Sequence, residues 1–230
     1  MQVVFEDAEI TRTQCKVRAS GSFGEGVHLV SGHVGSGKTT VALAAAGVQP
    51  LEKGKMEREG VRTFTLSQQF PEYHITGTTL NEEISSWGLD PDSILEKIGF
   101  SGQGPRDPFT LARGELKRLH LACIFSGNWD LLILDEPFSG LDCREKKRIA
   151  REIATLKSGI VIIFTHEQTV FPRVDRLWQV QEGCLHDLGP VPDSLPKWKG
   201  APPFLRTLLA KGKVPQNLAE EDLLEAACRT

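Results

Sequence analysis

Apolar and polar positions alternate in three different ways along the chain. In the first thirty residues, short β-like stretches at 3–5, 15–18 and 27–30 are separated by Gly and Asp turns. Two later runs, 131–134 and 160–164, are apolar without a break, and a charged stretch from about Arg144 to Lys157 between them reads as a helix. Near-continuous apolar strands alternating with helices predict a buried, mostly parallel sheet. The third pattern is Ala-rich: residues 41–46 form a strong helix former ended by Gly47.

The remaining segments fill in around these. Residues 52–60 are charged and contain glycine, as a hairpin would, and 61–67 reads as a strand. Residues 77–126 read as mainly helical, with Thr79-Leu80-Asn81-Glu82 as a capping start. A last hairpin is expected over 176–187, a proline-rich linker over 190–203, and two short helices over 204–230, broken at 212–215.

Composition narrows the class. The 230 residues are 40% hydrophobic and 25% charged, with 27 Lys and Arg against 30 Asp and Glu. That excludes a disordered, collagen-like or membrane-embedded chain and gives no sequence-wide nucleic-acid surface. Five scattered cysteines with no CxxC argue against a zinc site or disulfide framework and for a reducing compartment. The start, MQVVFEDAEI, does not read as a signal peptide, and no apolar run approaches the ~20 residues needed to span a bilayer. The expectation is a soluble cytoplasmic chain that reaches a membrane only through a partner.

Two segments carry chemistry. Gly32-His33-Val34-Gly35-Ser36-Gly37-Lys38-Thr39, with Thr40 after it, lies between a strand and a helix and matches a phosphate-binding loop. Its glycines let backbone N–H groups turn toward a phosphate, which the helix N-terminus also attracts. Lys38 is expected on the β- and γ-phosphates and the Thr39 hydroxyl on Mg²⁺. The second segment ends the apolar run 131–134 with Asp135 and Glu136. Buried carboxylates are costly unless paired or bound to metal. Asp135 is therefore expected to support the ion and Glu136 to polarise the attacking water.

These segments, with others in a fixed order, resemble the nucleotide-binding domains of ABC ATPases. Gln69 follows the 61–67 strand, with Gln68 as second choice. Leu111-Ala112-Arg113-Gly114-Glu115 occupies the signature position, Ser139-Gly140-Leu141-Asp142 the D-loop, and His166 the switch-histidine position. The resemblance implies that Gln69 senses Mg²⁺ and the attacking water, and that His166 contacts the γ-phosphate. It also implies that the signature covers ATP bound by a partner subunit.

Gln69-Phe70-Pro71-Glu72, Thr79-Leu80-Asn81-Glu82-Glu83-Ile84, the 106–111 segment and the tail 201–222 are similar to energy-coupling factor (ECF) importer ATPases. That resemblance implies an α/β P-loop core with an N-terminal antiparallel β subdomain and a helical subdomain inserted at about 71–126. The ATPase domain would span 1–190, and 191–230 would be a linker and C-terminal helical extension. The implied function is ATP hydrolysis powering uptake of a vitamin or transition-metal ion. The implied partners are an integral-membrane coupling subunit, a separate substrate-binding membrane subunit and a second ATPase, at the cytoplasmic face of the membrane.

The signature departs from the family's Leu-Ser-Gly-Gly pattern. Ala112 removes a hydroxyl donor, and Arg113 adds a cation or blocks close approach by its bulk. This favours a heterodimer over a homodimer. It leaves open a regulatory or degenerate subunit with little turnover of its own. Mechanical ATPases acting on DNA or ribosomes fit poorly, because Lys38 and Leu111 are close in sequence and no heptad pattern lies between them. The family's adenine-stacking aromatic has no counterpart at 8–13, and Phe5 or Phe23, outside that stretch, are the imperfect stand-ins.

Overall fold

The structure is a computed structural model that describes residues 1–13, 15–156 and 159–228. Strict side-chain alternation sets its layers. In β6 (Leu131–Asp135), Leu131 and Ile133 enter one apolar cluster while Leu132 and Leu134 enter another. In β7 (Ile160–Thr165), Ile160, Ile162 and Phe164 face the first cluster, and Val161 and Ile163 the second. A strand covered on both faces shows no polar face, which is why both runs are unbroken in sequence.

The other strands are β1 (Gln2–Arg12), β2 (Cys15–Phe23), β3 (Gly26–Ser31), β4 (Lys53–Glu59), β5 (Phe64–Ser67), β8 (Arg176–Gln181) and β9 (Cys184–Pro190). Among the described residues they form one sheet in the order β4-β1-β2-β9-β8-β3-β7-β6-β5. The run from β8 to β5 is parallel throughout. At the other end, β1 pairs antiparallel with both β2 and β4, and β2 joins β9 through a single parallel pair, Arg18 with Cys184. The chain is thus an α/β protein with a parallel core and an antiparallel N-terminal end.

Helix α1 (Lys38–Ala45) packs into the first cluster with Val3, Val17 and Ile133 around it, and seven of its eight residues are buried. An Ala-rich helix suits that slot, since small side chains let strands approach on every side. Helices α2 (Leu80–Ser86), α3 (Pro91–Lys97) and α4 (Arg113–Ser126) share a third cluster built on Leu80, Ile84, Leu95, Leu116 and Leu119. The expected start at Thr79 is present, its hydroxyl accepting the Glu82 N–H at 3.2 Å. Helix α5 (Cys143–Ala154) is capped by Asp142, which accepts the Glu145 N–H at 2.8 Å. Lys157, the expected end of that helix, lies outside the described residues.

Three expectations need correction. Residues 52–60 are no hairpin. β4 is one strand laid against β1, where Arg58 pairs with Val3 and Met56 with Phe5. The 77–126 stretch is less helical than expected, because 98–112 runs as turns through Gly99, Gly102 and Gly104 with one short 3₁₀ segment, Pro108–Thr110. The 190–203 stretch is packed rather than a free linker, with Leu195, Trp198 and Ala201 inside the second cluster. Beyond it come α6 (Pro203–Ala210) and α7 (Glu220–Cys228), and Arg229 and Thr230 lie outside the described residues. Cys15, Cys123, Cys143, Cys184 and Cys228 are all unpaired as thiols. No helix of the described residues is long and apolar enough to cross a membrane.

Candidate functional site

The glycine-rich loop connects the end of β3 at Ser31 to the start of α1 at Lys38. Two of its glycines are dictated by space. A Cβ on Gly32 would stand 2.6 Å from Ser36 Oγ and 2.8 Å from the Val180 carbonyl oxygen. Gly37 has φ +103°, and its Cβ would stand 2.3 Å from Val17 Cγ2. No side chain caps α1, so its first N–H groups are left to the loop, the situation in which a helix end receives an anion. Lys38 is 6% exposed and closes the loop on itself, its Nζ donating to the carbonyls of Gly32 at 2.9 Å and His33 at 3.1 Å. Ser36 Oγ is buried without a partner.

Across the loop stands Glu136, 5% exposed, one residue beyond β6 and in the left-handed region with φ +52°. That strained backbone turns its side chain back across the sheet end. Its Oε1 lies 2.7 Å from His166 Nδ1 and 3.5 Å from Lys38 Nζ. Its Oε2 accepts from the Thr165 hydroxyl at 3.1 Å and the His166 N–H at 3.3 Å. The ends of β6 and β7 and the start of α1 therefore meet in one cluster of Lys38, Glu136 and His166. Asp135 lies beside it, 2% exposed, with Oδ1 unpartnered. Burial pushes its pKa up to about 6, although the Thr39 hydroxyl and the charges of Lys38 and Lys117 pull it down.

Gln69 and Glu136 are linked from behind by Lys117 of α4, which is 2% exposed. Its ammonium donates to the carbonyls of Glu136 at 2.6 Å, Gln69 at 3.1 Å and Ser139 at 3.3 Å. Burial lowers its pKa to about 8 against the attraction of Glu136 and Asp135. At the head of α4, Ala112 is the N-cap position without a side-chain acceptor, while Glu115 Oε2 accepts the Ala112 N–H at 2.9 Å. A Cβ on Gly114 would stand 3.1 Å from the Gly140 carbonyl, so the 111–115 and 139–142 segments touch. Arg113 turns away from that contact, its guanidinium 4.6 Å from the Phe70 ring centre and its Nε 3.6 Å from Glu72 Oε1.

The cleft over the loop measures about 1190 Å³. His33, Val34, Gly35, Thr39, Thr40 and His166 line it together with the rest of the loop, whereas Gln69, Asp135, Glu136, 111–115 and 139–142 do not, the two carboxylates lying buried behind Lys38 and His166. Sequence reasoning missed its rim and back wall: Arg12 and Thr13 at the β1–β2 turn, and Phe171, Trp198 and Gly200 opposite. Trp198 Nε1 donates to Ser31 Oγ at 2.7 Å, tying the C-terminal segment to the residue before the loop. Phe5 and Phe23 are buried, edge to face with ring centres 6.4 Å apart, so neither offers a face to a base in the cleft.

The sequence of this chain matches the family model described as ABC transporter over residues 19–139. Among curated relatives, the energy-coupling factor transporter ATP-binding protein EcfA2 of Thermotoga maritima is 29% identical, the alignment covering 88% of this chain and 86% of that protein. EcfA1 of the same organism is 30% identical over 71% of each chain. A bacterial Atm1-family ABC exporter solved with ATP bound superposes with a TM-score of 0.74 at 18% identity, over 92% of this chain and 42% of the longer exporter chain. That likeness speaks for the fold alone. The family match and the ATP-binding relatives make the conclusion plain: this chain belongs to the ABC transporter family and is an ATPase.

Proposed function

We propose that the chain is the ATP-hydrolysing subunit of a membrane importer of the energy-coupling factor type. The observation that carries this reading is the Glu136 carboxylate set between Lys38 and His166 at the mouth of the glycine-rich loop. The names of the Thermotoga relatives support the transport side of it. In this reading the chain works at the cytoplasmic face of the membrane, on an integral-membrane coupling subunit, with a separate subunit selecting a vitamin or transition-metal ion. A second ATPase chain completes the pair, and a heterodimer is favoured.

The chain's own groups divide the work as follows. On nucleotide binding, the N–H groups of the loop and of the α1 N-terminus receive the phosphates. Lys38 exchanges the Gly32 and His33 carbonyls for phosphate oxygens, which removes its hold on the empty loop. Glu136 takes the proton of the attacking water, and His166 holds both that carboxylate and the γ-phosphate edge. The 111–115 segment, backed by 139–142, faces the nucleotide of the partner ATPase.

The donor set fits Mg²⁺ as a companion of ATP. The described residues contain no cluster of three or more His, Cys, Asp or Glu able to hold a metal alone. Asp135 with its unpartnered oxygen and the Thr39 hydroxyl beside it would supply oxygens to a cation whose shell phosphates and water complete, and the family resemblance adds the Gln69 amide. When bound, Mg²⁺ neutralises charge on the β- and γ-phosphates.

A second reading has one observation in its favour. The signature helix lacks a cap hydroxyl at Ala112, so the chain covers its partner's nucleotide with one donor fewer. In that reading it is a regulatory subunit with little turnover of its own. ATP turnover measured against chain concentration, with and without co-purified partners and beside Glu136→Gln, separates the two. Turnover that depends on the Glu136 carboxylate supports the first reading. Tight binding with negligible turnover in every assembly supports the second.

A further inference from the structure

Lysine is among the residues least often buried, and an ammonium in the core is costly unless its donors are all satisfied. Lys117 is 2% exposed, and its three N–H donors have three acceptors, all main-chain carbonyls outside its own helix. Those carbonyls belong to Gln69, Glu136 and Ser139. They come from two loops that are far apart in sequence, one after β5 and one after β6, at the same end of two neighbouring parallel strands. A lysine needed only to fill space in α4 would not require three main-chain acceptors drawn from two separate loops.

Arg113 lies one turn before Lys117 on the same helix face and repeats the tie from outside. It stacks on Phe70 at 4.6 Å and approaches Glu72 at 3.6 Å, next to the Gln69 carbonyl that Lys117 holds from inside. Helix α4 is therefore fastened to the 69–72 segment at two successive levels. The two carbonyls at positions 136 and 139 extend the fastening to the strand end that carries the carboxylates.

The geometry points to Lys117 as a positioning residue for hydrolysis: one ammonium holds the backbones of Gln69, Glu136 and Ser139 in register with the signature helix. This rests on the reading above, in which Glu136 is the base and the signature faces a partner's ATP. A displacement of α4 when the signature meets that nucleotide then reaches Glu136 through a tie of fixed length, without passing through the partner's phosphates. The Glu136 backbone, already in the left-handed region, has few alternative conformations, so a shift of its carbonyl re-aims its carboxylate.

The test compares Lys117→Met, which keeps the chain's length and removes every donor, with Lys117→Gln and Lys117→Arg. ATP hydrolysis is measured in the assembly in which the unmodified protein turns over. Nucleotide affinity, melting temperature and amide hydrogen exchange are measured on the full chain. For Lys117→Met the expected result is a kcat about tenfold lower, nucleotide Kd within about threefold, and faster exchange confined to 68–73 and 136–141. Lys117→Gln, with two donors, should fall between. Lys117→Arg, which keeps the charge and a fork of donors, should rank highest.

Loss of kcat and of nucleotide binding in step, with a global fall in melting temperature, would mean the lysine is merely structural and would overturn the inference. So would unchanged exchange with unchanged kcat. If Lys117→Met does not fold, the ranking of Arg over Gln at constant Kd decides the matter, and equal kcat values reject the idea. Glu136→Gln is run alongside. If it hydrolyses ATP normally, the reading of Glu136 as base fails, while local exchange changes in the Lys117 variants still report on the tie.

Discussion

In the function proposed above, the glycine-rich loop and the signature helix are the two parts of this protein that face a nucleotide, and they are stabilised in opposite ways. The loop is closed within itself: Gly32 and Gly37 admit no side chain, and Lys38 satisfies the loop's own carbonyls. The signature helix has an N-cap position without a cap side chain and is held from its flank, by Arg113 on Phe70 and by Lys117 on three distant carbonyls. The first is a self-contained receptor for an anion. The second is a surface carried on a lever, whose position depends on the 69–72 and 136–139 backbones. The two departures from the family pattern, Ala112 and Arg113, lie on the lever, whereas the loop keeps the phosphate-binding pattern.

The largest effect should come from the group between the two. Glu136→Gln keeps the size of the side chain and the Thr165 contact but removes the carboxylate proposed as the base. Positioned general bases contribute about 10²–10⁴-fold, so kcat should fall by that order while nucleotide binding persists. Turnover at the normal rate would refute the role. Gly37→Ala should come next. A Cβ 2.3 Å from Val17 in a residue at φ +103° forces the loop or β2 to shift. Stability should drop by about 1–3 kcal/mol, and nucleotide binding should be lost with it, as read by calorimetry on the full chain. A Gly37→Ala protein that melts and binds normally would mean the loop is not sterically fixed.

Why some of this was legible in sequence follows from the same contrast. The strand–loop–helix unit announces itself, because strands buried on both faces read as 131–134 and 160–164 and because the loop's glycines have no substitutes. The carboxylates stood out for the cost of placing Asp135 and Glu136 at the end of an apolar strand. What was hidden depends on partners far away in the chain. Residues 52–60 look like a hairpin until β1 is present to pair with Met56 and Arg58. The proline-rich 190–203 stretch looks like a linker until Trp198 is seen bonded to Ser31. Lys117, three residues from Gly114 in a helix with other charges, reads as a solvated lysine, and nothing local indicates three carbonyls behind it.

Asp135 gives a stability prediction whose sign distinguishes the receptor from an ordinary ion pair. Its folded pKa is raised, from 3.8 to about 6, mainly by burial. Between those values the folded state holds the proton that the unfolded state has released, so stability falls as pH rises through this window. Above pH 6 the full cost is present, about 3 kcal/mol at most. Asp135→Asn should therefore raise the melting temperature of the nucleotide-free chain at pH 7–8, with the gain shrinking toward pH 4. An acid-side gain instead would show that the carboxylate is stabilised rather than strained in the fold.

The smallest expected change tests the lever itself. Ala112 sits at the N-cap of α4, where Glu115 already accepts the Ala112 N–H but the N-cap offers no side chain to accept the N–H groups of the first turn. Ala112→Ser restores the missing half of that reciprocal cap, worth about 1 kcal/mol. In a chain of this size that is a rise of about 2–4 °C in melting temperature. Because α4 is already fixed by Lys117 and Arg113, the new cap should stiffen its first turn without moving the helix. The gain should appear fully in the nucleotide-free protein, and slower amide exchange should be confined to 113–116. A stability gain that appears only with ATP present would instead place the hydroxyl on a partner's phosphate, making the departure at Ala112 a lost contact between subunits rather than a lost cap.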